Sequence, residues 1–213
     1  MTTTAIKATR EGSAQKRALI LAAARELFLA DGFERTSMDA IASRAGVSKR
    51  TVYDYYGDKR TLLLEVVQHA IAALSAAVDR AIADNLVDVT DVAEALIGFA
   101  RAITTSAMGS AGYSALMRLL RTESAHLPEL QDEQWVGLQP EDAVAERFTE
   151  LDRRGLLATP RPRLAADHFV ALTLSPAFYT VGRQVALSEA DSESAIVDGV
   201  SAFLRAYGAN AVS

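Results

Sequence analysis

The chain has 213 residues, with 22 Lys+Arg against 27 Asp+Glu, a formal net charge of −5 and no cysteine. Half of its residues are hydrophobic and 23% are charged, the balance of a folded globular protein and too apolar for intrinsic disorder. The missing cysteine excludes a disulfide framework, a thiolate nucleophile and any Cys-based metal or cluster site.

In chain order, residues 1–12 show no periodicity and are expected to form a flexible tail. They lack the apolar core of a signal peptide, and no later run reaches about 18 uninterrupted apolar residues, so a soluble cytoplasmic protein with no membrane association is expected. From about Ala14, Ile20, Ala24, Leu27 and Phe28 fall on one helical face, and Asp31-Gly32 supplies the stop. A short second helix follows a Thr36-Ser37 cap, with Met38, Ile41, Ala42 and Ala45 spaced i, i+3, i+4, i+7 and Gly46 ending the run. Ser48 caps a third helix reaching about Tyr56, and Gly57-Asp58 breaks the chain before a long fourth helix from Lys59 to about Ala83. Its stripe of Leu62, Leu63, Val66, Val67, Ala70 and Leu74 suits a link between head and body. Further helices are predicted at 89–107, 112–126, 140–155, 163–187 and 190–207. No strand alternation persists, so the fold class is all-α, of about nine helices.

Charge divides along the same line. Residues 1–60 hold 11 Lys+Arg against 7 Asp+Glu, net +4, and residues 61–213 hold 11 against 20, net −9. A basic head can meet phosphates, whereas an acidic body is repelled by them. The expected division is therefore a tail (1–12), a DNA-binding head (13–60) and a helical body (61–213).

Residues 38–56, MDAIASRAGVSKRTVYDYY, read as helix, tight turn, helix, the geometry that places a second helix in a major groove. In the second of these helices Val52 and Tyr56 share the buried side. The opposite side carries Arg50, Thr51, Asp54 and Tyr55, flanked by Lys49 and Tyr53, a mixture of donors, an acceptor and a methyl group suited to base edges and phosphates. Lys49-Arg50 and Lys59-Arg60 each stand in the first turn of a helix, where the dipole disfavours cations and a bound phosphate would compensate.

The run Thr36-Ser37-Met38, Ile41-Ala42, Ala45-Gly46-Val47-Ser48, Thr51-Val52-Tyr53, Tyr55-Tyr56 and Lys59 with Leu62-Leu63 resembles the DNA-binding domain of the TetR family of bacterial regulators over residues 14–64. Tyr56 departs from that pattern, where phenylalanine is more frequent, and its added hydroxyl requires a partner or solvent. The resemblance implies that Ser37, Tyr53 and Lys59 contact phosphates, with Ser48 at the same surface, and that Lys49, Arg50, Thr51 and Tyr55 face the groove. Asp54 can either accept from a cytosine amino group or pair with Arg50 at i, i+4.

It further implies a dimer on a palindromic double-stranded operator, with a small-molecule effector in the body, repression as the ordinary mode, and the last two helices forming a four-helix bundle with a second subunit. The stripe through Leu164, His168, Ala171, Ser175, Phe178, Gly182 and Val185, and that through Ile196, Val200, Phe203, Leu204 and Tyr207, are either this interface or intrachain core. Candidate pocket residues are Phe99, Met108, Tyr113, Met117, Trp135, Phe148 and Phe178, a lining for a hydrophobic effector. The segment RLLRTESAHLPEL at 118–130 resembles the body of a TetR subgroup linked to efflux control. His69, His126 and His168 stand on separate helices without paired ligand spacing, so neither a metal, a cofactor nor an enzymatic activity is expected. An activator, a corepressor-dependent regulator and a ligand carrier without DNA role remain the alternatives.

Overall fold

The computed structural model describes residues 2–106, 140–174 and 188–209. Among these residues it is all-helical: α1 (Thr2–Asp31), α2 (Met38–Ala45), α3 (Lys49–Tyr56), α4 (Lys59–Asn85), α5 (Val92–Thr104), α6 (Pro140–Arg153), α7 (Pro162–Phe169), a π-helical stretch over Val170–Leu174, and α8 (Glu189–Tyr207). The one extended pairing among them is an isolated antiparallel bridge between Leu157 and Gly208. The helix predicted at 112–126 lies outside the described residues, as does the second half of the one predicted at 163–187.

Two expectations change. The stretch 1–12, expected as a tail, is helical from Thr2 onward as the first turns of α1; good helix formers at Ala5, Lys7, Ala8, Arg10 and Glu11 outweigh its lack of apolar periodicity. The chain also divides into two compact units between Ala70 and Ile71 rather than after residue 60. The reason is burial: Leu62, Leu63, Val66 and Val67 of α4 are as deeply buried as Ile20 and Ala24 of α1, Ile41 and Ala42 of α2, and Val52 of α3. The first turns of α4 thus belong to the head. By length and composition α4 is apolar enough to cross a bilayer, yet Ala77, Val78 and Ala81 in its second half are also buried, Val78 and Ala81 in the core of the second unit. It reads as a core helix.

In the second unit the core is an aromatic cluster. Phe148 of α6 meets Phe169 of α7 edge-on at 5.7 Å between centroids and Phe203 of α8 at 5.4 Å, and Phe169 in turn contacts Phe99 of α5 at 5.8 Å. Such pairs add to the transfer energy of burying each ring. Two arginines tie down the link that follows α4: Arg147 of α6 donates to the carbonyls of Leu86 and Val87, and Arg154, just past the end of α6, to those of Val87 and Val89. These carbonyls follow a helix C-terminus, where backbone acceptors are left open and cations are favoured. Asp152 holds the α6–α7 connection by accepting from the backbone N–H and the hydroxyl of buried Thr159. Arg101 of α5 pairs with Glu193 of α8, and that hydrogen bond keeps the Glu193 carboxyl below the usual carboxylate range.

At Gly199, α8 lies directly on the π-helical backbone, and a Cβ there would collide with the Leu172 carbonyl oxygen. Backbone cannot yield as a flexible side chain does. Gly199→Ala is expected to destabilise the protein by about 1–3 kcal/mol, the usual cost of overpacking. The check is the urea midpoint at fixed protein concentration, where an unchanged midpoint would show that α8 can shift freely.

Candidate nucleic-acid interface

The head is assembled by caps that the sequence carries at each joint. Gly32 stops α1 at positive φ (84°), its N–H bonding to Phe28 O at 3.0 Å. The buried Thr36 hydroxyl donates to Gly32 O at 2.8 Å and Leu27 O at 3.3 Å, closing the same end. Ser37 then opens α2, its Oγ accepting from Ala40 N. Thr36 and Ser37, paired in sequence, thus serve two different helices. Gly46 (φ 67°) ends α2 with Val47 N bonding to Ala42 O and Gly46 N to Ser43 O, a Schellman arrangement. Ser48 opens α3, its Oγ accepting from Thr51 N and hydrogen-bonded to Thr51 Oγ1 at 2.8 Å, where either hydroxyl can donate.

Val52 and Tyr56 are the buried residues of α3, and they fix its rotation. Tyr56 lies 4% exposed, and its hydroxyl donates to Arg17 O of α1 at 3.1 Å. This is the partner its departure from phenylalanine requires. The Arg17 guanidinium stands 5.6 Å from the centre of the same ring and pairs with Glu65 of α4.

With α3 so anchored, the predicted residues separate into two groups. Ser37, Ser48, Lys49, Arg50, Tyr53 and Asp54 are exposed and Thr51 half-buried. Tyr53 leaves 44% of its surface to solvent. Arg50 pairs with Asp54 at 3.7 Å, so the i, i+4 alternative is realised in this structure. Lys49 reaches to Asp39 of α2 at 2.9 Å; that hydrogen bond raises its pKa and joins the two helices of the motif. Arg44 is likewise paired, with Glu26 of α1.

Two residues depart from their expected orientation. Tyr55, expected in the groove, is half-buried and its hydroxyl donates to Ser13 Oγ of α1 at 2.9 Å. An eight-residue helix exposes one side only, and the residue preceding Tyr56 lies on the flank next to α1. Lys59, expected on a phosphate, directs its ammonium at backbone carbonyls of residues 33–36. Neither partner is readable from local spacing.

In the second unit a cavity of about 30 Å³ lies between α4, α5, α6 and the π-helical stretch, with Leu74, Val78, Phe99, Ile103, Val144 and Leu174 among its lining and Glu141 its charged member. Of the candidate pocket residues, Phe99 lines this cavity. Phe148 does not: it is fully buried in the aromatic cluster and does not line this cavity. Met108, Tyr113, Met117, Trp135 and Phe178 lie outside the described residues.

The interface candidates need a similar correction. Ile196, Val200 and Phe203 are buried within one chain, because the apolar stripe of α8 faces α5, α7 and the π-helical stretch. Tyr207 is half-buried, stacked on Phe203 at 4.8 Å and bonded through its hydroxyl to His168 Nδ1 at 2.6 Å. Ala171 is exposed, and Ser175, Phe178 and Gly182 lie outside the described residues. Besides Val87 in the link after α4, the large apolar residues of this unit that reach solvent, among those described, are Leu172 of the π-helical stretch and Val197 of α8. Exposure could not be read from the sequence because both flank the stripe rather than form it. Among the described residues no group of three or more His, Cys, Asp or Glu could hold a metal ion.

Residues 20–66 match the family model described as bacterial regulatory proteins, tetR family, and residues 94–209 match that of the AefR-like transcriptional repressor C-terminal domain. The chain is 29% identical over 168 residues to the HTH-type transcriptional activator FasR of Mycolicibacterium smegmatis, covering 78% of this chain and 72% of that one. Among solved structures, a TetR-family transcriptional regulator of Mesorhizobium loti MAFF303099 is 30% identical with a TM-score of 0.78, over 92% of this chain and 98% of the other. The flavonoid-responsive regulator FrrA is 29% identical with a TM-score of 0.61, over 92% and 98%.

Burial pushes the Tyr56 phenol above its usual pKa. The folded state therefore holds the proton more tightly than the unfolded chain, so this contribution to stability is complete below about pH 10 and is lost as pH rises beyond it. Tyr56→Phe removes the ionisation, and the alkaline unfolding of the head, followed by circular dichroism, should move to higher pH. No displacement would mean that Tyr56 titrates alike in both states.

Proposed function

Because the chain belongs to the TetR family of bacterial transcriptional regulators, we propose that it is a repressor that binds a palindromic operator as a homodimer in the cytoplasm and is released by a small, mainly apolar effector. The observation that carries this reading is the solvent face of α3. That helix is held from behind by Val52 and Tyr56, capped by its own Ser48, and displays Arg50, Tyr53 and Asp54 outward. Rigid backing with a donor, an acceptor and an aromatic ring in front is what reading base edges and phosphates requires. Ser37, Ser48 and Tyr53 are assigned to phosphates, and Lys49, Arg50 and Thr51 to the groove, with Asp54 orienting Arg50. The caps support this. Ser37 accepts from a backbone N–H through its oxygen and so keeps its own hydrogen for a phosphate, as Ser48 does when Thr51 Oγ1 is the donor of their pair.

The cavity lined by Phe99 is the place proposed for the effector's apolar part; at about 30 Å³ it has room for little more than water and must widen to admit one, with Glu141 at its wall suited to a donor group on the same molecule. Leu172 and Val197, on two elements in backbone contact, are proposed for the subunit interface in place of Phe203. Activation is the second reading, favoured by the relative named as an activator.

Selection of duplexes from a random pool by the purified protein is expected to enrich a palindrome with half-sites about one helical turn apart. Absence of enrichment would remove the proposal. On the selected site, Arg50→Ala should lose about 1–3 kcal/mol of discrimination at one base pair per half-site, while a loss equal on all sequences would mean that Arg50 touches backbone alone. Sedimentation velocity tests the interface: Leu172→Glu with Val197→Glu should yield folded monomers, and an intact dimer would move the interface elsewhere.

A further inference from the structure

A groove of about 730 Å³ opens on the second unit between the start of α5, the α6–α7 connection and the last turns of α8. That volume lies in the range of small-molecule sites, roughly 300–1,000 Å³, and the groove shares no lining residue with the cavity at Phe99. The connection is stitched to the end of α8, since Ala158 N donates to Tyr207 O at 2.7 Å and Leu157 bridges Gly208. The depression is therefore built into the backbone and does not depend on one side-chain rotamer.

The floor is apolar. Val200 is buried there, and Val92, Leu156 and Leu204 are half-buried, so these three keep surface that an apolar body would remove from water. The rim is different. Ser201 and Arg205 stand one turn apart on the exposed side of α8, and Arg205 is the single charged residue of the lining. Its guanidinium donates to Ser201 Oγ at 3.0 Å and, among the described residues, meets no carboxylate. Asp91, next to Val92 in sequence, is turned into its own helix as the cap of α5, accepting from Ala93 N and Glu94 N. A helix C-terminus favours cations, but the carbonyls at this end are served without Arg205: Gly208 N donates to Leu204 O and Ala158 N to Tyr207 O.

An apolar floor with one uncompensated cation at its rim is complementary to an anion with an apolar body. The planar fork of Arg205 keeps donors for both oxygens of a carboxylate. Ser201, whose oxygen accepts from Arg205, keeps its own hydrogen for the same anion. We propose that this groove is a second ligand site of the body, taking a small organic carboxylate whose charge lies against Arg205 and Ser201 while its apolar part covers Val92, Leu156, Val200 and Leu204. Such a site is independent of the DNA-binding and effector readings above. The rival occupant is a second subunit, because Val197, proposed above for the interface, lies one turn before Ser201 on α8.

The probe is naphthoate, with naphthamide as its uncharged counterpart of the same shape. Calorimetric titration of the full chain should show naphthoate binding about tenfold more tightly than naphthamide, and Arg205→Gln should remove that preference by weakening naphthoate alone about tenfold. Arg205→Lys, which keeps the charge and loses the fork, should fall between the two. Amide hydrogen exchange over residues 155–158 and 204–208 should slow when naphthoate is added to the wild-type protein. Absence of naphthoate binding, or binding that neither depends on Arg205 nor protects these amides, would overturn the site. Equal weakening of naphthoate and naphthamide would overturn it as well, since Arg205 would then shape the groove without meeting an anion. Sedimentation velocity separates the rival occupant: if Arg205→Gln, folded by circular dichroism, releases monomers, the groove belongs to the subunit interface and the ligand site falls. Should Arg205→Gln fail to fold, Ser201→Ala carries the same expectation at about threefold, the loss of one hydrogen bond.

Discussion

An eight-residue helix spans little more than two turns and is not stable by itself, because nucleation costs more than so short a run of hydrogen bonds returns. Everything that α3 presents to solvent therefore depends on the two side chains it buries, Val52 and Tyr56. The aromatic residue supplies the larger burial, and its hydroxyl, bonded to a carbonyl of α1, turns a greasy contact into a directional one. Rotation of α3 about its axis would break that bond, so the angle at which Arg50 and Tyr53 face outward is set from the opposite side of the helix. The caps at Ser37, Gly46 and Ser48 then fix where each helix starts and stops, leaving the module little freedom except in its exposed side chains.

The head was largely legible in the sequence because its determinants are local. Apolar spacing in α2, the hydroxyl caps and the glycines at the turns lie within a few residues of what they control, and each is found in its expected place. Tyr55 and Lys59 were not legible, because their partners are remote: Ser13 lies 42 positions from Tyr55, and Phe33 lies 26 positions from Lys59. A tyrosine on the flank of a short helix satisfies the pattern of a groove residue and of a packing residue equally well. In the body the stripe of α8 was read correctly as apolar, but periodicity says that a face is covered and not what covers it. Ile196, Val200 and Phe203 are covered by their own chain. The helical state of residues 2–12 was missed for the converse reason, since propensity without an apolar face leaves no periodic signal.

The second unit is organised by different means. Its aromatic rings bring α5, α6, α7 and α8 together, while Arg147 and Arg154 hold the connection after α4 through carbonyls. Glycine at 199 allows α8 to meet the π-helical stretch backbone to backbone. That stretch adds Val170 and Leu174 to the wall of the cavity, beside Phe99. π-helical insertions recur at functional sites, and this one sits where the core gives way to open space.

The ion pairs of the head bear on the rates of binding. Arg44, Lys49 and Arg50 each have a carboxylate within 4 Å, so an approaching duplex meets dipoles there rather than bare cations. The field of a dipole decays within a few ångströms, whereas that of an isolated charge reaches a Debye length, about 8–10 Å near physiological salt. Long-range steering is correspondingly weak at these positions, and an exchange of carboxylate for a DNA group would follow contact. The ionic-strength sensitivity of such a surface falls more on how long the complex lasts than on how often it forms.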